Sequence, residues 1–316
     1  MNLISTPANP VPEDVVAGTL KTPDGLTLRF ARWAPPPRRR GTVCLFTGRA
    51  EFIEKYFETV RDLRTRGFAV AMIDWRGQGL SERVLSNPLR GYVRSFDDYG
   101  VDLATFIHEV VLPDCPPPVF ALAHSMGASI LLRAAYQGHS WFDRMVLLAP
   151  MIGLPGAVRR SLATRLTVRA MHVLGLGAAY VPGGDASVMM QRPFLGNLLT
   201  SDPVRYARNA AILEAEPRLA IGWPTVGWTD AAFKVMRELS EPSYASKIRQ
   251  PILIIAAGLD AIVSTPAIDS FATRLRAGSR LIVAGARHEL LMEQDRFRMQ
   301  VLAAFDAFVP GTPLFG

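Results

Sequence analysis

The stretch that decides the fold is Val119-Phe-Ala-Leu-Ala-His124-Ser125-Met126-Gly127-Ala-Ser-Ile-Leu-Leu-Arg133. Its first half is a continuous apolar run, typical of a strand buried on both faces, and its second half has helical spacing. The small residues between the two halves permit a tight turn with Ser125 at its tip. The sequence therefore predicts a strand, a sharp turn and a helix, with an exposed serine between them.

The turn resembles the Gly-x-Ser-x-Gly pattern, with Ala123 in place of the first glycine and Gly127 as the second. In such a turn the serine is strained and accessible, which suits a nucleophile. The helix start adds free N–H groups and a partial positive charge, which stabilise an oxygen that becomes anionic during acyl transfer. A five-residue match also fits an ordinary serine at a helix N-terminus, so the catalytic interpretation depends on partners elsewhere in the chain.

Short apolar runs alternate with helical patterns on both sides of this stretch, which predicts an α/β fold with a mostly parallel sheet covered by helices on both faces. Residues 16–33 alternate apolar and polar around a turn, which predicts a hairpin at the sheet edge. The alternation stops between residues 151 and 244 and then resumes. We therefore expect a core at 1–150 and 245–316, with a helical cap inserted at 151–244.

The composition favours a globular enzyme-sized protein, since 49% of the 316 residues are hydrophobic and 20% are charged. The net charge of +7 comes from scattered basic residues without a nucleic-acid-binding motif, which argues against a nucleic-acid partner. No metal-ligand, Walker or dinucleotide-binding pattern is present, so we expect neither metal nor cofactor. Without a signal-peptide pattern or a long apolar span, the expected location is cytoplasmic.

Two polar residues follow later strands in the way that Ser125 follows its own. Asp260 comes after the apolar run 251–257, and His288 comes after the run 280–284. In parallel sheets the carboxyl ends of the strands meet at one edge, and the chain order Ser, Asp, His accompanies a serine on such a turn. The pattern predicts Ser125 as nucleophile, His288 as general base and Asp260 as the carboxylate that orients it.

The chain resembles the α/β-hydrolases, and within that fold the bacterial lysophospholipase and monoacylglycerol lipase branch. Besides the three residues in order, the resemblance rests on Thr47–Tyr56 after the first parallel strand and on Asp74–Ser81 after the next. It implies the α/β-hydrolase fold and an oxyanion hole formed by the backbone N–H groups of Arg49 and Met126. In the second motif, glycines allow a tight bend, and we expect Arg76 to pair with Glu51 or Asp74.

The resemblance also implies a cofactor-independent serine hydrolase that cleaves carboxylic esters through an acyl-enzyme, with a lysophospholipid or monoacylglycerol as substrate. A serine aminopeptidase or another acyl hydrolase on the same fold is the alternative within enzymes. A lipid-binding protein without catalytic activity is the alternative from another class. His124 precedes the serine, and because its side chain is expected to diverge from that of Ser125, the sequence suggests for it only a role in shape.

The insertion carries the expected determinants of substrate choice. Residues 154–177 contain basic but no acidic side chains, interleaved with apolar ones; the basic residues are Arg159, Arg160, Arg165 and Arg169. This imperfect amphipathic pattern fits either a cap helix on the core or a segment in peripheral contact with an anionic membrane, on its inner face. Candidates for an acyl pocket are Met189, Phe194, Trp223 and Trp228, which fit a small core of the insertion equally well.

Overall fold

The computed structural model describes residues 2–37, 39–156 and 162–309, and its centre is one eight-stranded sheet in the order β1-β2-β4-β3-β5-β6-β7-β8. The strands are β1 (Val15–Lys21), β2 (Thr27–Trp33), β3 (Thr42–Phe46), β4 (Ala69–Ile73), β5 (Val119–His124), β6 (Arg144–Leu148), β7 (Ile252–Ala257) and β8 (Gly278–Val283). The pairs β1–β2 and β2–β4 are antiparallel and the others parallel, which confirms the predicted sheet and its edge hairpin.

Every residue of β3, β4, β5 and β7 is buried. Because successive side chains of a strand point to opposite faces, the chain covers the centre of the sheet on both sides. The helices are α1 (Phe57–Thr65), α2 (Phe96–Phe106), α3 (Leu112–Asp114), α4 (Ser125–Tyr136), α5 (Leu162–Val173), α6 (Pro203–Ala215), α7 (Val226–Ser240), α8 (Tyr244–Lys247), α9 (Thr265–Ala272) and α10 (Asp295–Phe308). Shorter turns are the 3-10 segments Ile53–Tyr56, Leu176–Ala178, Met189–Gln191, Pro217–Leu219 and Leu290–Met292 and the π turn Ile107–Val111.

The segment between β6 and β7 leaves the sheet, while these two strands pair directly with each other. Its described part holds helices and one isolated bridge, between Tyr180 and Thr225, but no strand. These features agree with the expected cap at 151–244, and the division into core and cap stays a prediction. Arg159 and Arg160 lie outside the described residues.

The expected partners of Arg76 were wrong. Its guanidinium binds Asp102, with Nε 2.8 Å from Oδ1, and Asp24, with Nη1 2.7 Å from Oδ2. Asp74 is already engaged by Arg29, whose Nε lies 2.7 Å from Oδ2. The carboxylates of Asp74 and Glu51 are both held by other cations, Arg29 and Lys55, and Arg76 pairs with the carboxylates of other segments.

Candidate active site

Ser125 is the first residue of α4 and follows directly after β5. Its φ of 51° lies in the left-handed region, a conformation that costs free energy for any residue with a side chain. At Gly127 a Cβ atom would stand 2.6 Å from the carbonyl oxygen of Thr47, so only glycine lets the helix approach the end of β3 this closely. The structure therefore has the strained strand-to-helix turn that the sequence predicts.

The expected exposure of the serine was wrong, because Ser125 is buried. The ring of His288 covers its hydroxyl, with Nε2 3.1 Å from Oγ. The chain after β6 lies against its backbone, where the Met151 N–H donates to the Ser125 carbonyl oxygen at 3.2 Å. Any substrate therefore reaches the serine only beside these covering groups.

His288 joins Ser125 to Asp260. The Nδ1 atom of His288 lies 2.8 Å from Oδ2 of Asp260, whose side chain is fully buried. Burial by itself raises the pKa of Asp260, but the hydrogen bond and charge of His288, with two backbone N–H donors, outweigh it and lower that pKa. Those donors are Ile262 and Val263, at 2.8 and 2.9 Å from Oδ1. An ionised Asp260 favours the tautomer of His288 with the proton on Nδ1, which leaves Nε2 free to accept from the serine.

The resemblance implies an oxyanion hole formed by two backbone N–H groups, those of Met126 and Arg49. Met126 is the second residue of α4, and the first N–H groups of a helix have no acceptor within it. Arg49 lies in the loop after β3, and no acceptor among the described residues binds its backbone N–H. These two donors remain the predicted oxyanion hole.

A buried charged cluster behind the serine was missed by the sequence analysis. The carboxylate of Glu51 accepts hydrogen bonds from Lys55 Nζ at 2.8 Å, from the Tyr56 hydroxyl at 2.8 Å and from the Gly48 N–H. Lys55 also contacts Glu289, with 2.6 Å between Nζ and Oε1. Because Gly48 directly precedes Arg49, the cluster holds the loop that carries the first expected oxyanion donor.

His124 completes this cluster. Its Nδ1 lies 3.0 Å from Glu51 Oε1, and its Nε2 lies 3.1 Å from the backbone carbonyl oxygen of His288. Both neighbours are acceptors only, so both ring nitrogens must carry a proton. Burial would lower the pKa of His124, but the charge and hydrogen bond of Glu51 outweigh it and raise that pKa. The imidazolium, with Lys55, balances the two buried carboxylates Glu51 and Glu289, so His124 has a role in charge and positioning as well as in shape.

The candidates for the acyl pocket are dispersed. Met189 and Phe194 are exposed, and the ring of Phe194 packs 5.5 Å from that of Tyr206. Trp223 stacks under Arg192, at 5.5 Å, and Trp228 is buried under Arg49, at 5.1 Å. Their substrate contacts stay predictions.

A cavity of about 340 Å³ lies elsewhere, between the chain after β6 and α7. Its described lining includes Ile152, Leu154, Phe233 and Met236 and none of the four pocket candidates. Two residues of this lining, Phe233 and Met236, belong to the wider set of aromatic and methionine side chains in the insertion. Because Arg165, Arg237 and Arg274 also line the cavity, its wall is mixed, and it adds no candidate for the acyl pocket.

A serine on a strained strand-to-helix turn, placed on a mostly parallel eight-stranded sheet with a histidine and an aspartate after later strands, defines the class of α/β-hydrolases. Solved structures share this fold. A soluble variant of monoglyceride lipase from Saccharomyces cerevisiae, in complex with a substrate analog, has a TM-score of 0.71 at 20% identity and covers 94% of this chain and 97% of its own. The chain belongs to the family described as serine aminopeptidase, S33, whose model matches residues 37–295.

Curated relatives are similar over most of the chain. Lysophospholipase L2 of Escherichia coli strain K12 is 31% identical over 292 residues, which are 90% of this chain and 84% of the relative. Monoglyceride lipase of Rattus norvegicus is 28% identical over 183 residues, which are 57% of each protein. The expected class, a carboxylic ester hydrolase with the α/β-hydrolase fold, is confirmed.

Proposed function

We propose that this protein hydrolyses the carboxylic ester of a lysophospholipid or a monoacylglycerol through an acyl-enzyme on Ser125. The observation that carries the proposal is the continuous hydrogen-bonded series from Ser125 through His288 to Asp260, at 3.1 and 2.8 Å. The names of the relatives, lysophospholipase and monoglyceride lipase, support the lipid ester as substrate class.

The geometry suits two acyl-transfer steps. Ser125 Oγ attacks the ester carbonyl carbon while His288 Nε2 takes its proton, and Asp260 stabilises the imidazolium that forms. The oxyanion accepts hydrogen bonds from the N–H groups of Arg49 and Met126. As the intermediate collapses, His288 protonates the leaving alcohol. Water then attacks the acyl-enzyme, His288 accepts a proton from that water, and the fatty acid leaves as Ser125 regains its proton.

A serine aminopeptidase is the second candidate, favoured by the description of the matching family. The two functions are separated by measuring kcat/KM for lysophospholipids, monoacylglycerols and aminoacyl amides side by side. We expect turnover of the lipid esters. Turnover of the amides alone would refute the lipid ester hydrolase and support the peptidase.

Replacement of Asp260 by asparagine is expected to lower kcat about 10⁴-fold. The amide oxygen can still accept from the Ile262 and Val263 N–H groups, so the NH₂ group faces His288 Nδ1 and favours the tautomer that cannot accept from Ser125. The measurement is kcat on a short-chain nitrophenyl ester, with the unfolding midpoint as a check on folding. Asp269→Asn, at a partly exposed aspartate paired with Arg280, serves as control and is expected to retain the rate. A loss of less than tenfold in Asp260→Asn would contradict the assigned role.

We also propose that the outer face of α5 touches an anionic lipid surface. Val168 is the one buried residue in the described helix, while Leu162, Leu166 and Val173 are exposed. Exposed apolar side chains beside basic ones, here Arg169 among them, are typical of an interfacial helix. In the described part of the chain, no helix is both long and apolar enough to cross a bilayer.

Leu166→Glu is expected to lower binding to anionic vesicles about tenfold or more, since it removes a leucine that inserts into the lipid surface and adds a negative charge. Cosedimentation with phosphatidylglycerol vesicles measures it. Leu112→Glu is a matched control, because Leu112 and Leu166 are each 59% exposed and lie on different helices. Equal binding by the two variants would contradict the lipid contact.

A further inference from the structure

Three buried hydrogen-bond donors around the loop after β3 and the insertion lack a partner in the described structure. They are Arg49 Nε, Arg90 Nε and the Tyr180 hydroxyl. Buried polar atoms in proteins are nearly always bonded, and each unbonded one destabilises the fold. Three such donors on neighbouring residues indicate that the structure lacks an acceptor that they share.

These residues form two cation–ring pairs. The guanidinium carbon of Arg49 lies 5.1 Å from the centre of the Trp228 ring, and that of Arg90 lies 5.5 Å from the centre of the Tyr180 ring. Each ring supports one face of a guanidinium. The two guanidinium groups and the Tyr180 ring carry the three unbonded donors. We call these four residues the donor cluster.

Short contacts join the two pairs. Arg49 Nη2 donates to the carbonyl oxygen of Gly222 at 2.8 Å. The Gly222 N–H donates to the carbonyl oxygen of Leu89, the residue before Arg90, also at 2.8 Å. Tyr180 bridges to Thr225, whose hydroxyl donates to the Gly91 carbonyl oxygen at 2.9 Å. The donor cluster therefore lies where the loop at residues 89–91 meets the insertion.

The cluster has positive charge without a compensating carboxylate. Neither Arg49 nor Arg90 forms an ion pair within the described residues, whereas Arg29 and Arg76 each bind two carboxylates. Burial lowers the pKa of Arg49 to about 10, so its side chain is still cationic at neutral pH. Two partly buried cations with spare N–H groups suit an anion with several acceptor oxygens, such as a phosphate.

The cluster adjoins the candidate active site through Arg49 itself. The backbone N–H of Arg49 is one of the expected oxyanion donors, and its guanidinium lies at the end of the side chain of the same residue. In a lysophospholipid, the glycerol unit likewise separates the ester carbonyl from the phosphate. One arginine can therefore contact both groups of a single substrate molecule.

On the basis of the proposed function, we propose that Arg49, Arg90 and Tyr180 bind the phosphate of a lysophospholipid. The ester of that lipid then lies at Ser125. This site makes phosphate-bearing lipid esters better substrates than neutral monoacylglycerols.

The test compares kcat/KM for lysophosphatidate and for the monoacylglycerol with the same acyl chain, because the two differ only in the phosphate. We expect Arg90→Met and Arg49→Met each to lower the ratio of kcat/KM for lysophosphatidate to that for monoacylglycerol about 10- to 100-fold. This is the effect expected from the loss of one charged hydrogen bond. Arg90→Lys keeps the charge and is expected to retain part of the ratio. Arg94→Met is the control, since the Arg94 side chain is 81% exposed on the same loop.

Binding is measured separately in Ser125→Ala with an ether analogue of lysophosphatidate, which has no ester, through tryptophan fluorescence. We expect Arg90→Met to weaken this binding and Tyr180→Phe to weaken it less. Inorganic phosphate is the second probe; if it bound as tightly as the ether lipid, with the same dependence on Arg90, the site would belong to the free ion and not to a headgroup.

The two proposals fail in different ways. If the Arg49 and Arg90 variants hydrolysed monoacylglycerol and kept the wild-type ratio, the phosphate site would be refuted and the hydrolase would stand. If the wild type hydrolysed neither ester, the proposed function would be refuted, and the binding measurement would decide on the phosphate site alone.

Discussion

Replacement of Ser125 by alanine is expected to lower kcat for lipid esters by about 10⁴-fold or more, the largest effect on activity that the structure suggests. Without the hydroxyl no acyl-enzyme forms, and His288 has no oxygen to deprotonate at 3.1 Å. What remains is the contribution of the oxyanion donors and of substrate binding. Rates on a monoacylglycerol and labelling by a fluorophosphonate probe measure this loss.

Ser129 provides the matched control. It lies one turn later on α4, is fully buried, and donates to the carbonyl oxygen of Met151 at 2.9 Å. Ser129→Ala loses this hydrogen bond, at about 1 kcal/mol of stability, and is expected to keep both turnover and labelling. Hydrolysis by Ser125→Ala at a rate within tenfold of the wild type, or equal labelling of that variant, would refute the nucleophile.

Glu51→Gln is expected to lower the free energy of unfolding by about 3–5 kcal/mol, the largest effect on stability among these predictions. The change leaves Lys55 and His124 facing a neutral amide in a buried site, so the charge balance with Glu289 is lost. It also weakens the acceptor of the Gly48 N–H, and the loop that carries Arg49 loses its support. Urea unfolding measures the stability, and kcat on a short-chain ester is expected to fall with it.

The pH dependence of the difference in stability between wild type and Glu51→Gln is a second test. Burial raises the pKa of Glu51, but His124 and Lys55 outweigh it and hold that pKa well below its ordinary value of 4.5. A carboxylate with a depressed pKa in the folded protein stabilises the fold at pH values above its ordinary pKa. This contribution is lost as the pH falls through the pKa of the folded state. The difference between wild type and Glu51→Gln should therefore shrink as the pH falls below 4.5.

The stability that His124 contributes is lost at the opposite end of the pH range. Because its pKa is raised in the folded protein, His124 stabilises the fold at pH values below its ordinary pKa of 6.5. This contribution is lost as the pH rises through the pKa of the folded state. The difference should therefore shrink at high pH as well. Glu238→Gln, at a side chain 43% exposed and paired with Arg133, is the control and should cost no more than about 1 kcal/mol. A difference that does not vary with pH would contradict the charged cluster.

The sequence by itself determined the sheet, the strand-to-helix turn and the three residues of the candidate site. These signals are local: an apolar run of five or six residues predicts a buried strand, and the residue that follows it lies at the carboxyl edge. The positions of Ser125, Asp260 and His288 after three such runs, in that order along the chain, were enough to predict that they meet.

Only the tertiary structure decided which charges meet. Glu51 and His124 contact each other although they are 73 positions apart. Arg76 binds Asp102 and Asp24 and not the carboxylates nearer in the chain. Such pairs depend on how loops from different strands pack over one edge, which no periodicity encodes. The donor cluster has the same origin, because its members come from the loop after β3, the loop at residues 89–91 and the insertion. Burial then turns ordinary surface residue types into groups that need a partner, and this need is visible only after the chain has folded.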